Sequence, residues 1–275
     1  MSGKLYVVGT PIGNLEDFSP RAIRILSEVD FIAAEDTRVT LKLLNHFEIK
    51  KPLISYFEHN KQSKSGVIIE RLLGGESAAI VTDAGMPAIS DPGEDLVREC
   101  IAAGVPIESV PGPTAFATAL AVSGMPSKRF CFEGFLSVDK KERAEHLGEL
   151  KNEHRTIIFY EAPHKLCRTL EDLYNTFGER KIAIARELTK LHEQVLSTTL
   201  LGACEYFKEN APRGEFVLIV EGASAAEQRV YTVDEAVSLA RALQEDGLSA
   251  SAAAKEAANI SGIKKGDIYK QMLEK

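Results

Sequence analysis

Leu5-Tyr6-Val7-Val8-Gly9-Thr10-Pro11-Ile12-Gly13-Asn14, Ala78-Ala79-Ile80-Val81-Thr82-Asp83-Ala84-Gly85-Met86-Pro87 and Ile107-Glu108-Ser109-Val110-Pro111-Gly112-Pro113-Thr114 share one pattern. Each is a short strand-like segment that runs straight into a loop rich in glycine and proline. The second loop continues to Ser90-Asp91-Pro92-Gly93. Short, strongly apolar runs suit strands buried on both faces of a parallel sheet. In open sheets of that kind, ligands bind outside the carboxyl ends of the strands. Glycine allows close approach and proline fixes shape, so three such loops predict a pocket lined mainly by backbone. The first loop is neither a Walker A loop, having no Gly-Lys-Ser/Thr ending, nor a dinucleotide fingerprint, having no GxGxxG spacing. Pro111-Gly112-Pro113 has one free N–H, on Gly112, and suits a pocket wall better than a phosphate cradle.

Outward from these junctions, strand and helix signals alternate. Ser19 reads as an N-cap with Pro20 at the first helical position. Strands are predicted at 31–34 and 53–57, and helices at 66–73, 94–103 and 114–123. Gly74-Gly75 and Gly104 stop the first two helices. This alternation predicts a mostly parallel sheet with helices on both faces. Gly124-Met125-Pro126-Ser127 reads as a hinge. Beyond it, strands at 129–135, 156–160, 182–185, 193–197 and 215–220 surround helices at 139–150 and 163–177. The last three strands could pair antiparallel. Residues 222–226 read as a linker, followed by helices at 233–244, 250–258 and 265–273 with helix-turn-helix-like spacing. The expected division is 1–124, 125–222 and 231–275.

The 275 residues are 44% hydrophobic and carry a formal charge of −7, which argues against a wholly basic nucleic-acid binder but leaves room for a local basic groove. No apolar run approaches the ~20 residues of a membrane span. Met1-Ser2-Gly3-Lys4 leads directly into a strand-like segment, so no signal peptide is expected and the protein reads as cytoplasmic. Cys100, Cys131, Cys167 and Cys204 form no CxxC pair and read as reduced thiols, which argues against a structural zinc site or other bound metal. The tail from Tyr231 onward holds six Lys and Arg against seven Asp and Glu, so it is not basic overall. Lys264, Lys265, Lys270 and Lys275 in its last helix, against Asp267 and Glu274, allow only a few phosphate contacts. Aromatics and lysines around His59 could stack bases or form a solvated loop. His164 could serve a site or simply occupy a first helical turn. Lys140-Lys141-Glu142-Arg143 reads as the exposed face of a helix.

The ordered series Val8-Gly9-Thr10-Pro11-Ile12-Gly13-Asn14-Leu15, Ala34-Glu35-Asp36-Thr37-Arg38, Asp83-Ala84-Gly85-Met86-Pro87, Val110-Pro111-Gly112-Pro113, Phe159-Tyr160-Glu161-Ala162-Pro163-His164, Arg186-Glu187-Leu188-Thr189-Lys190 and Arg213-Gly214-Glu215-Phe216 resembles the tetrapyrrole (corrin/porphyrin) methylase superfamily. Within it, the chain is most similar to the ribosomal RNA small subunit methyltransferase I family. The resemblance implies an α/β fold of two domains with S-adenosylmethionine (SAM) bound between them, a small C-terminal helical domain, and a homodimer. It implies 2′-O-methylation of a cytidine ribose in the decoding region of small-subunit ribosomal RNA, with that RNA or the 30S particle as partner.

By the same resemblance, Pro11, Asp83, Ala84, Gly85, Met86, Ile89, Ser90, Thr114 and Ala115 are expected at the cofactor. Tyr160, Arg186, Glu187 and Gly214 are expected on its adenosine side. Where most relatives carry Gly-Asp-Pro, Met86 replaces the acidic residue or Asp83 supplies it from an earlier position, a departure that weakens a tetrapyrrole-substrate reading. A ribose hydroxyl needs its proton removed, and a carboxylate in reach could contribute about 10²–10⁴-fold. Asp36 or Glu35 is the candidate base, with Arg38 binding phosphate or orienting the carboxylate and Asn14 as an alternative polar group. The competing reading makes Asp36 a helix cap paired with Arg38. Two other readings stay open: a tetrapyrrole methylase, and a non-catalytic ribosome-binding module.

Overall fold

The computed structural model describes residues 3–224 and 231–273. Five strands, β1 (Leu5–Val8), β2 (Phe31–Ala34), β3 (Leu53–Ser55), β4 (Ala78–Val81) and β5 (Ile107–Val110), form an all-parallel sheet in the order β3-β2-β4-β1-β5. Every residue of β2 and β4 is buried, as expected of strands covered on both faces. The covering helices are α1 (Pro20–Glu28), α2 (Thr37–His46), α3 (Lys61–Leu73), α4 (Gly93–Ala102) and α5 (Ala115–Ser123). Val8, Leu26, Ile32 and Val81 pack on one face, and Leu5, Phe31, Ile68 and Leu96 on the other. The expected N-cap forms, with Ser19 Oγ accepting from Ala22 N at 3.1 Å. The order places β4, β1 and β5 side by side, so the three glycine/proline loops leave the same edge together.

The second sheet contains β6 (Phe130–Phe135), β7 (Thr156–Glu161), β8 (Lys181–Arg186), β9 (Gln194–Thr199) and β10 (Phe216–Val220) in the order β6-β7-β10-β8-β9. Only β6 and β7 are parallel; β8 pairs antiparallel with both β9 and β10, so the antiparallel expectation is met with β8 in the middle. One face rests on α5, where Ala119 and Leu120 meet Ile158, Ala183, Val217 and Ile219. The other carries α6 (Lys140–Glu149), α7 (Leu166–Phe177) and α8 (Leu200–Glu209) over a core of Phe159, Leu170, Leu173, Leu200 and Leu218. Helix α7 starts three residues later than Pro163 suggests, because Ala162 and Pro163 make a turn whose carbonyls accept from Lys165 and Leu166 N–H. Nothing in the sequence reading predicts α8. Thr198-Thr199-Leu200-Leu201 looks like continuing strand, yet Thr199 Oγ1 caps the helix by accepting from Gly202 N at 3.2 Å.

The chain divides into two compact units, Met1–Ala223 and Ser224–Lys275, so both sheets share the first. The second holds α9 (Val233–Glu245), α10 (Ala250–Ser261) and α11 (Lys265–Leu273) around Ala236, Ala240, Ala254, Ala257 and Ile268. Thr232 and Glu235 form a capping box at α9, and Gly262 in the left-handed region ends α10. Of the expected linker, 225–226 lie outside the described residues, as do Glu274 and Lys275. No described helix is long and apolar enough to cross a membrane. Burial pushes the Cys100 thiol up to about 11 and the Cys131 thiol up to about 12, so both are protonated at neutral pH.

Candidate active site

The loop after β1 is held from both sides. Thr10 and Gly85 exchange backbone hydrogen bonds of 2.9 and 3.1 Å, and the Thr10 hydroxyl donates to Thr82 O at 3.2 Å. On the β5 side, Gly9 and Gly112 touch backbone to backbone: a Cβ on Gly9 would lie 2.7 Å from Gly112 Cα. These contacts leave Ile12 at the head of a cavity of about 490 Å³, within the range of small-molecule sites. Ile12, Ala84 and Ala115 line it from the first sheet's loops. Tyr160, Ala185, Leu188 and Val217 line it from the second sheet, and Glu161 to His164 complete the wall. The Tyr160 hydroxyl accepts from Phe116 N–H at 3.1 Å, which ties the wall to the start of α5, while burial pushes its phenol up. Phenylalanine at 160 would leave that N–H without its acceptor. Tyr160→Phe is expected to cost about 1–3 kcal/mol in urea denaturation.

Of the residues expected at the cofactor, Ala84, Ala115 and Tyr160 line this cavity. Pro11 and Gly85 shape the neighbouring turn, with Gly85 at φ +88°. Met86 packs partly buried against the first sheet's core. Ile89 is exposed, and Ser90 lies against the bulge of β6, where a Cβ on Gly134 would come within 2.9 Å of its hydroxyl. Thr114 precedes α5 and makes no side-chain cap. Arg186 departs from expectation. Strand alternation turns Ala183 and Ala185 toward α5 and the cavity, and Ile184 and Arg186 to the opposite face. Glu187 and Gly214 shape the loop behind Leu188: the Glu187 carboxylate accepts from Lys190 Nζ and Glu215 N, both at 3.0 Å, and a Cβ on Gly214 would strike it. Burial opposes ionisation of Glu187, but these partners hold its carboxyl below the usual range.

Ile12, Ala185, Leu188 and Val217 escape the sequence reading because they are apolar. The one legible signal was Ile182-Ala183-Ile184-Ala185, whose alternating sizes mark one face of β8 as the one closely approached. Backbone strain marks the same region. Of the five described non-glycine residues with left-handed φ, Ala88, Ser90, Glu187 and Thr189 sit in the two loops bordering the cavity.

The polar group at β2 lies beside this cavity, linked to it through Asp83, the neighbour of Ala84. Asp36 caps α2, accepting from Arg38 N at 2.8 Å, and pairs with the Arg38 guanidinium at 2.6 Å. The Arg38 hydrogen bonds and charge hold its carboxyl at about 2, which makes it a weak base. The capping reading therefore describes Asp36. Glu35 Oε2 accepts from the Thr82 hydroxyl at 2.5 Å, and Oε1 has no protein partner among the described residues. Asp83 Oδ1 accepts from Asp36 N at 3.0 Å; desolvation, then the Glu35 and Asp36 charges, push its carboxyl up. Asn14 is spent on the turn at 15–17, accepting from Glu16 N at 3.0 Å. Asn caps a helix as well as Asp, so Asp36→Asn isolates the charge. A depressed folded-state pKa stabilises above the ordinary value of 3.8 and stops doing so as pH falls through about 2. The variant is expected to melt below wild type at neutral pH and to converge with it between about pH 4 and 2 in thermal scans.

Two α/β layers close on a cavity at the mouths of the glycine/proline loops. The tetrapyrrole (corrin/porphyrin) methylase model matches residues 4–203, and the RsmI C-terminal HTH domain model matches residues 232–275. A ribosomal RNA small subunit methyltransferase I of Synechocystis sp. is 45% identical over 273 residues, covering 99% of this chain and 98% of that protein. One of Xylella fastidiosa is 49% identical over 270 residues, covering 97% and 98%. The chain belongs to the ribosomal RNA small subunit methyltransferase I family within the tetrapyrrole methylases. A solved uroporphyrin-III C-methyltransferase from Thermus thermophilus, complexed with S-adenosylhomocysteine, shares the fold at a TM-score of 0.57 and 17% identity, covering 80% of this chain and 97% of that one.

Proposed function

We propose that this chain transfers a methyl group from SAM to the ribose 2′-hydroxyl of a cytidine in the decoding region of small-subunit ribosomal RNA. Family membership over nearly the full length carries the reading, and the cavity between the sheets supports it. The lining suits the cofactor. Side chains end at Cβ at Ala84, Ala115 and Ala185, which leaves room for a planar ring, while Tyr160 supplies a hydroxyl and Ile12 and Leu188 exclude water. The solved structure of the same fold that is complexed with S-adenosylhomocysteine is in keeping with this. Pro11, Ala84, Ala115 and Tyr160 are the proposed cofactor-side residues. SAM, when bound there, supplies an electrophilic methyl group to the ribose oxygen.

The chain's own part is positioning and proton removal. Glu35 is the proposed acceptor of the 2′-hydroxyl proton, since Thr82 fixes one of its oxygens and leaves the other free. Arg38, 87% exposed at its side chain and aimed by Asp36, is proposed to meet an RNA phosphate. The reading extends to a cytoplasmic homodimer acting on the 30S particle. Incubating the protein with labelled SAM and 30S particles that lack the modification tests it: ribose-methylated cytidine is expected, and its absence would overturn the reading. Relatives at 43–49% identity carry the ribosomal RNA name, whereas the tetrapyrrole-methylating structure shares only the fold, so the tetrapyrrole alternative has the weaker support.

A further inference from the structure

A second concavity lies on the face of the second sheet turned away from the cleft. It is a trough of two adjoining cavities, about 360 and 670 Å³, that share Arg186, Gln194 and Arg213. Tyr206, Phe207 and Phe216 supply aromatic surface at one end, with the amide groups of Gln194 and Asn210 and the carboxylate of Glu209 beside them. The Asn210 amide nitrogen donates to Tyr206 O at 2.9 Å, so its oxygen is left to accept. At the other end stand His192 and the two arginines. Arg186 Nε donates to Arg213 O at 2.7 Å, which draws the guanidinium toward the 213 loop, and Arg186 lines both cavities. Among the described residues, neither Arg186 nor Arg213 forms a salt bridge with a carboxylate; the nearby Glu193 carboxylate accepts from Thr189 N at 2.6 Å.

Two neighbouring guanidiniums that form no salt bridge among the described residues favour an anion, and a planar fork favours phosphate oxygens. The aromatic and amide end calls for a flat polar ring, for which stacking and edge hydrogen bonds are the usual means of holding an unpaired base. We propose that this trough binds one nucleotide unit of the RNA substrate away from the methylated residue, with its phosphate on Arg186 and Arg213 and its base against Tyr206. One loop joins the two sites: Leu188 lines the cleft, and Leu191 and His192 line the trough. A strand of RNA held at both would be gripped on either side of the end of β8. The inference rests on the reading of the protein as an RNA methyltransferase, but it can fail separately.

The test is the affinity of full-length protein for a small-subunit RNA fragment, measured across a range of salt. Arg213→Gln removes an exposed side chain that forms no hydrogen bond or salt bridge among the described residues. Adding Arg186→Lys keeps the charge but loses the fork, and Tyr206→Leu keeps the apolar packing but loses the ring. Arg213→Gln is expected to weaken RNA binding about tenfold. It should also make the plot of log K against log salt shallower by roughly 0.7 for the phosphate lost. Tyr206→Leu should weaken binding with the slope unchanged, and SAM affinity by calorimetry should hold in all variants. Unchanged RNA affinity and slope in the Arg186/Arg213 double variant, with wild type binding RNA, would overturn the trough. So would binding of inorganic phosphate or cytidine monophosphate that RNA does not compete with, since that would make it a site for free anions. A wild-type protein that binds no RNA would instead sink the functional reading itself.

Discussion

Arg143→Leu is expected to destabilise the Met1–Ala223 unit by about 3–5 kcal/mol, the usual cost of stripping one partner from a buried charge network. The sequence makes Lys140-Lys141-Glu142-Arg143 an exposed helical face, and for Arg143 the structure corrects that. Its residue is 5% exposed, its Nε donates to Asp172 Oδ2 at 2.6 Å, and its terminal nitrogen donates to Thr169 Oγ1 at 2.7 Å. The Thr169 hydroxyl in turn donates to the carboxylate of Glu161, which is also buried and accepts from Ala162 N at 2.8 Å. Leucine at 143 would take the charged donor from Thr169 and leave Asp172 with only the longer contact to Arg168 Nε at 3.8 Å. It would also loosen Glu161, and with it the Ala162-Pro163-His164 wall of the cavity. Urea denaturation should show the loss in midpoint, and calorimetry should show weaker SAM binding in the protein still folded. A midpoint within about 0.5 kcal/mol of wild type, the range of ordinary surface changes, would mean that the network carries no weight.

Gly9→Ala is expected to abolish detectable SAM binding and to cost about 1–3 kcal/mol in stability. The effect is steric. The added Cβ would lie 2.7 Å from both Cα and N of Gly112, and backbone held by β1 and β5 pairing cannot swing away as a side chain could. The two loops must part, moving Ile12 away from Ala115 across the cavity. Gly66→Ala is the matching control. No atom lies within 4 Å of the Cβ position there, in the interior of α3. It should gain about 0.5–1 kcal/mol and leave SAM binding untouched. Parallel melting curves and SAM titrations of the two variants check both expectations together.

These expectations draw unequally on sequence and structure. The parallel sheet was legible because four-residue apolar runs ending in glycine and proline have few other uses, and because Ser19-Pro20, Gly74-Gly75 and Gly104 punctuate the helices between them. The three terminal helices were legible for the same reason, from apolar spacing and from turns at 246–249 and 261–263. Helix α8 was not, since Thr198 and Thr199 continue the strand pattern of β9 and Gly202 weakens the helix signal, while the Thr199 cap and packing against the second sheet decide for helix. The polar cluster after β2 was found by residue type, but type cannot divide labour among carboxylates. Glu35 and Asp36 are neighbours in sequence, yet Thr82 leaves one of them an unbound oxygen while Arg38 claims the other.

The sequence by itself determined which loops would meet, because Gly9 and Gly112 permit close backbone approach and Gly85 permits a left-handed turn at the ends of three strands. It also determined the family, through motifs kept in one order along the chain. Tertiary structure alone decided which side of each strand a residue serves. A strand's period of two sends Ala185 to the cleft and Arg186, its neighbour, to the opposite face, and the direction of that alternation depends on which face α5 covers. It alone decided that Arg143 would be core, because burial is a property of what packs over a side chain rather than of the side chain itself.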